Sequence, residues 1–373
     1  MQSLDNNTQA FLALVRGGLW EKEARLSQFN DIDYSQVLSL AEEQSVVGLV
    51  AAGLEHVVDV KIPKEDVLQF VGQTLQLEQQ NQAMNQFVGV LVDKMRKAGI
   101  YTLLVKGQAI AQCYEKPLWR ACGDVDFFLS DDNYEKAKVF LTPLAFNVER
   151  EYVREKHLGM TIDQWVVELH GRLYCGLSSR IDKELDRIYQ DTFYGGSVRS
   201  WDNSGVQIFL PIAENDAFYV FTHILQHFYK GGIGLRQICD WCRLLWTFKD
   251  KLDKKKLEQR IESAGLKTAW MAFGAFVVEF LGMSVEAMPL YSPDIKWKRK
   301  AKQIKDFIMV SGNFGQNRDS SYYDKYPYVI RKVCSMGRRI GDLSRHARIF
   351  PLDSIRFFPT IMFNGLKSAI RGE

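Results

Sequence analysis

The chain has 373 residues, 46% hydrophobic and 25% charged, with 27 glycines and 9 prolines. That composition excludes a collagen-like, low-complexity or disordered chain, and the length allows two or three domains with sizeable cores. The net charge of +3 conceals an asymmetry: Ile295 to Glu373 carries 17 Lys/Arg against 6 Asp/Glu, net +11, and the residues before it are net −8. The most apolar stretch, Thr268 to Met283, is broken by Glu279 and falls short of the ~18 residues of a transmembrane span. Met1 to Asn7 shows neither the basic nor the apolar region of a secretion signal, so a cytoplasmic location is expected. Six scattered cysteines do not form a disulfide framework.

Residues 1–99 read as an N-terminal helical region. Phe11, Leu12, Val15 and Leu19, and then Val37, Leu38 and Ala41, recur at helical spacing. A long helix is predicted from Pro63 to the Ala98-Gly99 stop, with Gln79 to Gln86 on a solvated face. At Ile100 the texture changes. Ile100 to Val105 is a short apolar, β-branched run that predicts a buried strand, with Lys106-Gly107 and a helix over Gln108 to Tyr114 after it. A second strand is predicted over Val125 to Leu129. Ser130 then caps a helix to about Leu141. A third strand spans Trp165 to Leu169. The α/β middle is placed at 100–210, a helical region at 211–290 broken by Lys230 to Gly234, and a basic C-terminal extension at 291–373. The fold class is α+β.

The chemistry concentrates in three places: Lys106-Gly107, Arg120 to Asp126, and Glu168 to His170. Side chains alternate along a strand, so Asp124 and Asp126 share a face while Val125 enters the core. Two carboxylates about 7 Å apart make a hard, oxygen-only site suited to Mg²⁺ or Mn²⁺. Glu168 on a neighbouring strand would complete it for two metals. Gly107 lets phosphates approach the backbone at a helix start, and Lys106 offsets their charge.

These residues, Lys106-Gly107, Arg120, Gly123 to Phe127 and Glu168 to His170, resemble the uncharacterised nucleotidyltransferase family of the DNA polymerase β-like superfamily. The resemblance is densest over residues 100–172. It implies a small mixed β-sheet core flanked by N- and C-terminal helical segments, with Asp124, Asp126 and Glu168 as catalytic metal ligands. It also implies phosphate contacts from Lys106, Gly107, Gln108 and Arg120, a divalent cofactor (Mg²⁺ or Mn²⁺), and an NTP, ATP first, as donor. Two features depart from the superfamily pattern. Gln108 stands where a small residue is usual, and the third acid is Glu168 rather than aspartate.

Other features have blander readings beside the functional ones. His157 and His170 are expected at the cleft rim in structural roles. Arg120 either meets phosphate or pairs with an aspartate. Cys239 and Cys242, with His223 and His227, compose a zinc site on paper, but their apolar neighbours favour buried thiols in one helix. For His223 and His227 themselves, helix packing is preferred to the cleft. The basic extension reads first as a solvated face, and contact with nucleic acid or an anionic membrane is the lesser reading. Pro351 and Pro359 are expected to break any long helix there. The function that follows is transfer of a nucleoside monophosphate from an NTP to an unidentified hydroxyl-bearing acceptor. The alternative is a catalytically silent NTP-binding, nucleic-acid-associated or membrane-associated protein on the same fold.

Overall fold

The computed structural model describes residues 5–311 and 341–370. Four helices come first: α1 Asn6–Trp20, α2 Tyr34–Glu43, α3 Val47–Glu55 and α4 Lys64–Lys97. Asp5 caps α1 by accepting from the Thr8 amide, and Asp33 caps α2 by accepting from Ser35 and Gln36. α1 and α3 pack backbone to backbone. A Cβ on Gly18 would fall 1.9 Å from the Leu49 carbonyl, and one on Gly53 would fall 2.0 Å from that of Leu14. In α4 the acids Glu65 and Asp66 occupy the first turn and Lys94, Arg96 and Lys97 the last, the order that the helix dipole favours. Its polar middle is not wholly solvated. Asn81 is fully buried and donates to the carbonyls of Leu118 and Arg120.

The α/β part follows as β1 Leu103–Val105, α5 Gly107–Ala111, β2 Asp124–Phe128, α6 Asp131–Leu141, β3 Asn147–Val148, β4 His157–Ile162, β5 Trp165–His170, α7 Ser179–Phe193, β6 Val198–Asn203 and β7 Val206–Pro211. These form one mixed seven-stranded sheet in the order β3-β4-β5-β2-β1-β7-β6. β2 runs parallel to β5 and β1 parallel to β7, while β1–β2, β4–β5 and β6–β7 are antiparallel. The expected strands and the α6 helix are present. The predicted Gln108 to Tyr114 helix is a single short turn, because the chain breaks at Gln112 toward Pro117. β3, β4, β6 and β7 escaped the sequence reading. β4 contains Gly159, and β6 alternates exposed and half-buried residues without an apolar run.

Helices α8 Ala213–Lys230, α9 Leu235–Thr247, α10 Lys254–Ser263, α11 Lys267–Leu281 and α12 Ile295–Ser311 complete the continuous part. A helix over 341–349 and a last one, Pro351–Ile370, follow. As expected, no helix runs through Pro351: the helix over 341–349 stops before Phe350 and a new one starts at the proline. Pro359, contrary to expectation, does not break that last helix. Pro351 occupies its first position, where no amide partner is needed, and Pro359 lies inside it. Of the basic extension, 312–340 and 371–373 lie outside the described residues.

The apolar residues form two clusters, one on each side of the sheet. Val125, Phe127, Val167, Leu169, Ile208 and Leu210 pack with α4 and α6. The other cluster joins α1–α3 to α8, α9, α11 and α12, with Val105 and Phe128 from the sheet. The N-terminal and C-terminal helices thus share one core. No helix among the described residues is long and apolar enough to cross a membrane.

Candidate active site

The second face of β2 and β5 carries the chemistry. In the parallel β2–β5 pairing Asp126 stands opposite Glu168, and Phe128 opposite His170. Since Val125, Phe127, Val167 and Leu169 point into the α4–α6 cluster, alternation sends Asp124, Asp126, Glu168 and His170 to the other side. One carboxylate oxygen from each of Asp124, Asp126 and Glu168 lies within 4.8 Å of the others. The triad read from the sequence is brought together.

The histidines are at the centre, not the rim. His170 Nε2 lies 2.7 Å from Asp126 Oδ1 and 3.4 Å from Glu168 Oε2. His157, opposite His170 in the β4–β5 register, places its Nε2 3.2 Å from the same Glu168 oxygen. Burial works against the charged forms of Glu168 and His170, but their mutual hydrogen bonds more than offset it. Glu168, held also by His157, lies well below the usual carboxylate range, and His170, held also by Asp126, lies above the usual imidazole value. The carboxyl of Asp124 is pushed up, first by the charge of Asp126 and then by burial.

Lys106 closes the site from the end of β1. Its backbone sits at φ 55°, ψ −150°, a region that favours glycine and costs other residues about 1–3 kcal/mol. Its Nζ lies 2.6 Å from Asp126 Oδ1, and only 2% of Asp126 is exposed. Burial opposes the ammonium, yet the charges of Asp126, Glu168 and Asp124 hold its pKa well above the ordinary lysine value. Gly107, at φ +35°, makes the turn into α5, and a Cβ there would stand 3.0 Å from the Cys122 sulfur.

Residues 30–282 match the family described as uncharacterised nucleotidyltransferase. The chain belongs to that family. Among solved structures, an antigenic nucleotidyltransferase-like protein from Paracoccidioides brasiliensis is similar at 14% identity, over 54% of this chain and 93% of that one, with a TM-score of 0.32. No curated protein matches.

In this nucleotidyltransferase family member, two of the expected phosphate contacts are turned elsewhere. Gln108 is buried, and its Nε2 donates to Asn81 Oδ1 at 2.7 Å. Arg120 is buried in a two-point pair with Asp240 (3.0 and 2.5 Å), to which the Tyr114 hydroxyl also donates. The anion that Arg120 meets is a third aspartate, 120 residues away, not one of the triad. Its guanidinium ties η1, Pro117–Trp119, and the loop ahead of β2 to α9.

Cys239 and Cys242 are free, buried thiols in α9, and burial pushes both up. Among the described residues, the groupings able to hold a metal are the carboxylate triad and His157, Glu168 and His170, with no cysteine in either. Two residues went unrecognised in the sequence. Tyr219 of α8 lies with its ring centroid 5.9 Å from Lys106 Nζ. Arg236, in the first turn of α9, donates from Nη1 to the Ala121 carbonyl, beside β2. His223 also faces the cleft: after burial, the charges of Lys106, His227 and His170 hold it well below the usual imidazole value.

Proposed function

We propose that the protein is a divalent-metal-dependent nucleotidyltransferase that moves a nucleoside monophosphate from an NTP, ATP first, to a hydroxyl-bearing acceptor. The convergence of Asp124, Asp126 and Glu168 on one sheet face, in a chain of this family, carries the reading. The donor set fits Mg²⁺ or Mn²⁺, since it is hard, anionic and made of oxygen. Asp124, Asp126 and Glu168 would hold the metal, which when bound offsets charge on the phosphates and lowers the pKa of a coordinated hydroxyl. In the transfer the acceptor hydroxyl gives up its proton to solvent water and its oxygen bonds to the α-phosphorus. The bond from that phosphorus to the oxygen bridging to the β-phosphate breaks, and pyrophosphate leaves.

The protein's own groups prepare that step. His157 and His170 fix Glu168, and His170 with Lys106 fixes Asp126, so the carboxylates are oriented before substrate arrives. Lys106, paired to Asp126, is placed to move from that carboxylate to a phosphate oxygen.

One observation favours the silent alternative: Asp126 Oδ1 is already compensated by Lys106 and His170. Purified protein incubated with each labelled NTP, Mg²⁺ or Mn²⁺ and a cell extract separates the two. Label transferred to an acceptor by wild type and not by Asp126→Asn supports transfer. A Mg–NTP-dependent rise in melting temperature without any labelled product supports the silent binder. Neither label nor thermal shift at millimolar metal and nucleotide overturns both.

A further inference from the structure

α8 is buried at every position except four. His223, Gln226, His227 and Lys230 are partly open, at the spacing i, i+3, i+4, i+7 of a single helix face. That open stripe begins next to the acids. Lys106, paired to Asp126, lies 5.9 Å from the Tyr219 ring centroid, and the Tyr219 and His223 rings are 6.4 Å apart. His223 Nε2 and His227 Nε2 are 2.9 Å from each other. One turn further on, Lys230 Nζ donates to the Cys175 carbonyl at 2.9 Å.

After Lys230 the chain turns through Gly231 to Gly234. A Cβ built on Gly231 meets nothing within 4 Å, so the backbone there is open to approach. Arg236 follows at the start of α9. Its Nη1 is engaged by Ala121, but its Nε is buried without a hydrogen-bond partner. The stripe and Arg236 belong to one electrostatic neighbourhood: after burial, Lys106, Lys230 and Arg236 push His227 down to about 4. The histidines therefore enter as neutral hydrogen-bonding groups, and the fixed positive charge comes from Lys230 and Arg236.

We infer that His223, His227, Lys230 and Arg236 form the wall that receives the polyphosphate tail of the nucleotide, running from the acidic triad along the open face of α8. The inference deepens the transferase reading and rests on it for the nucleotide. The polyanion site is testable alone. The acids that neighbour the wall are Asp182, near Lys230 and held by the Cys175 and Gly176 amides, and Asp240 and Asp124, near Arg236. Of these, Asp240 is paired to Arg120. The two cations are matched to the β- and γ-phosphates, and the triad is left for the reacting α-phosphate.

The probe is inorganic tripolyphosphate, titrated calorimetrically into the full chain without divalent metal. Wild type is expected to bind, and Lys230→Gln and Arg236→Gln to weaken binding about tenfold each. Because Arg236 also supports the Ala121 backbone, Arg236→Lys accompanies it, and thermal unfolding checks that each variant is folded. Lys296→Gln, on the exposed start of α12, controls for attraction to the basic extension and should change nothing. Absence of wild-type binding, or equal binding by wild type and folded Lys230→Gln, overturns the wall. Tripolyphosphate binding that depends on Lys230, in a protein that transfers no labelled NTP, overturns the transferase reading and leaves the wall standing. Transfer that is retained with tripolyphosphate binding indifferent to Lys230 does the reverse.

Discussion

The ammonium of Lys106 lies 2.6 Å from Oδ1 of Asp126, so the most buried acid of the triad is held by a lysine one residue beyond the neighbouring strand. This pair makes the two aspartates of the Asp124–Asp126 motif different in kind. Asp126 has a cation and a histidine on one oxygen. Asp124 is pushed toward its neutral form by Asp126 and by burial.

Charge removal should therefore have opposite effects at the two positions. Asp126→Asn strips a buried ammonium of its main anion, and a loss of about 3 kcal/mol is expected. Asp124→Asn removes a carboxylate repelled by its neighbour, so stability should be unchanged or higher. Urea denaturation with comparable m-values reads both. Equal destabilisation by the two variants would show that Lys106 does not discriminate between them. Both variants should lose transfer.

Arg120 is expected to act on structure. Breaking its buried pair with Asp240 from one side, as Arg120→Met or Asp240→Leu, should cost about 3–5 kcal/mol each. The double variant should be clearly less destabilised than the sum of the singles, since it leaves no unpaired charge. Additive losses would argue that Arg120 has another partner of equal weight.

Acid sensitivity should follow His227. Its folded pKa, about 4, is depressed below the ordinary 6.5 by burial and by Lys106, Lys230 and Arg236. The unfolded chain then takes up the proton first, so this contribution to stability is intact above about pH 6.5 and is lost progressively as pH falls toward 4. His223, which His227 contacts, is depressed in the same direction. Replacing His227 by glutamine should flatten part of the decline in melting temperature between those pH values. A variant profile parallel to wild type would rule out His227 as a source.

Gly107→Ala tests the turn that aims Lys106. An added methyl meets Cys122 Sγ at 3.0 Å, at a backbone φ of +35°. A loss of about 1–3 kcal/mol is expected from the strained conformation. A larger fractional loss of transfer should accompany it as Lys106 is displaced from Asp126. Full activity at reduced stability would mean that Lys106 need not be positioned by this turn.

Much of the site was legible in the sequence because its signals are local. Strand periodicity alone puts Asp124 and Asp126 on one face, a glycine after an apolar run marks the Gly107 turn, and Ser130 marks the start of α6. The resemblance of these same segments to a nucleotidyltransferase family was legible for the same reason. Partner choice was not. Whether Arg120 meets phosphate, a triad acid or Asp240 depends on how α9 docks, and Gln108 faces Asn81 only because α4 packs across the sheet. The central place of His157 and His170 follows from the β4–β5 register, and β4 itself carries no clear strand signal. On α8 the spacing of His223, His227 and Lys230 was readable, but the side of the helix left open was not. Periodicity tells which residues share a face; only the packing of elements distant in the chain decides what that face looks upon.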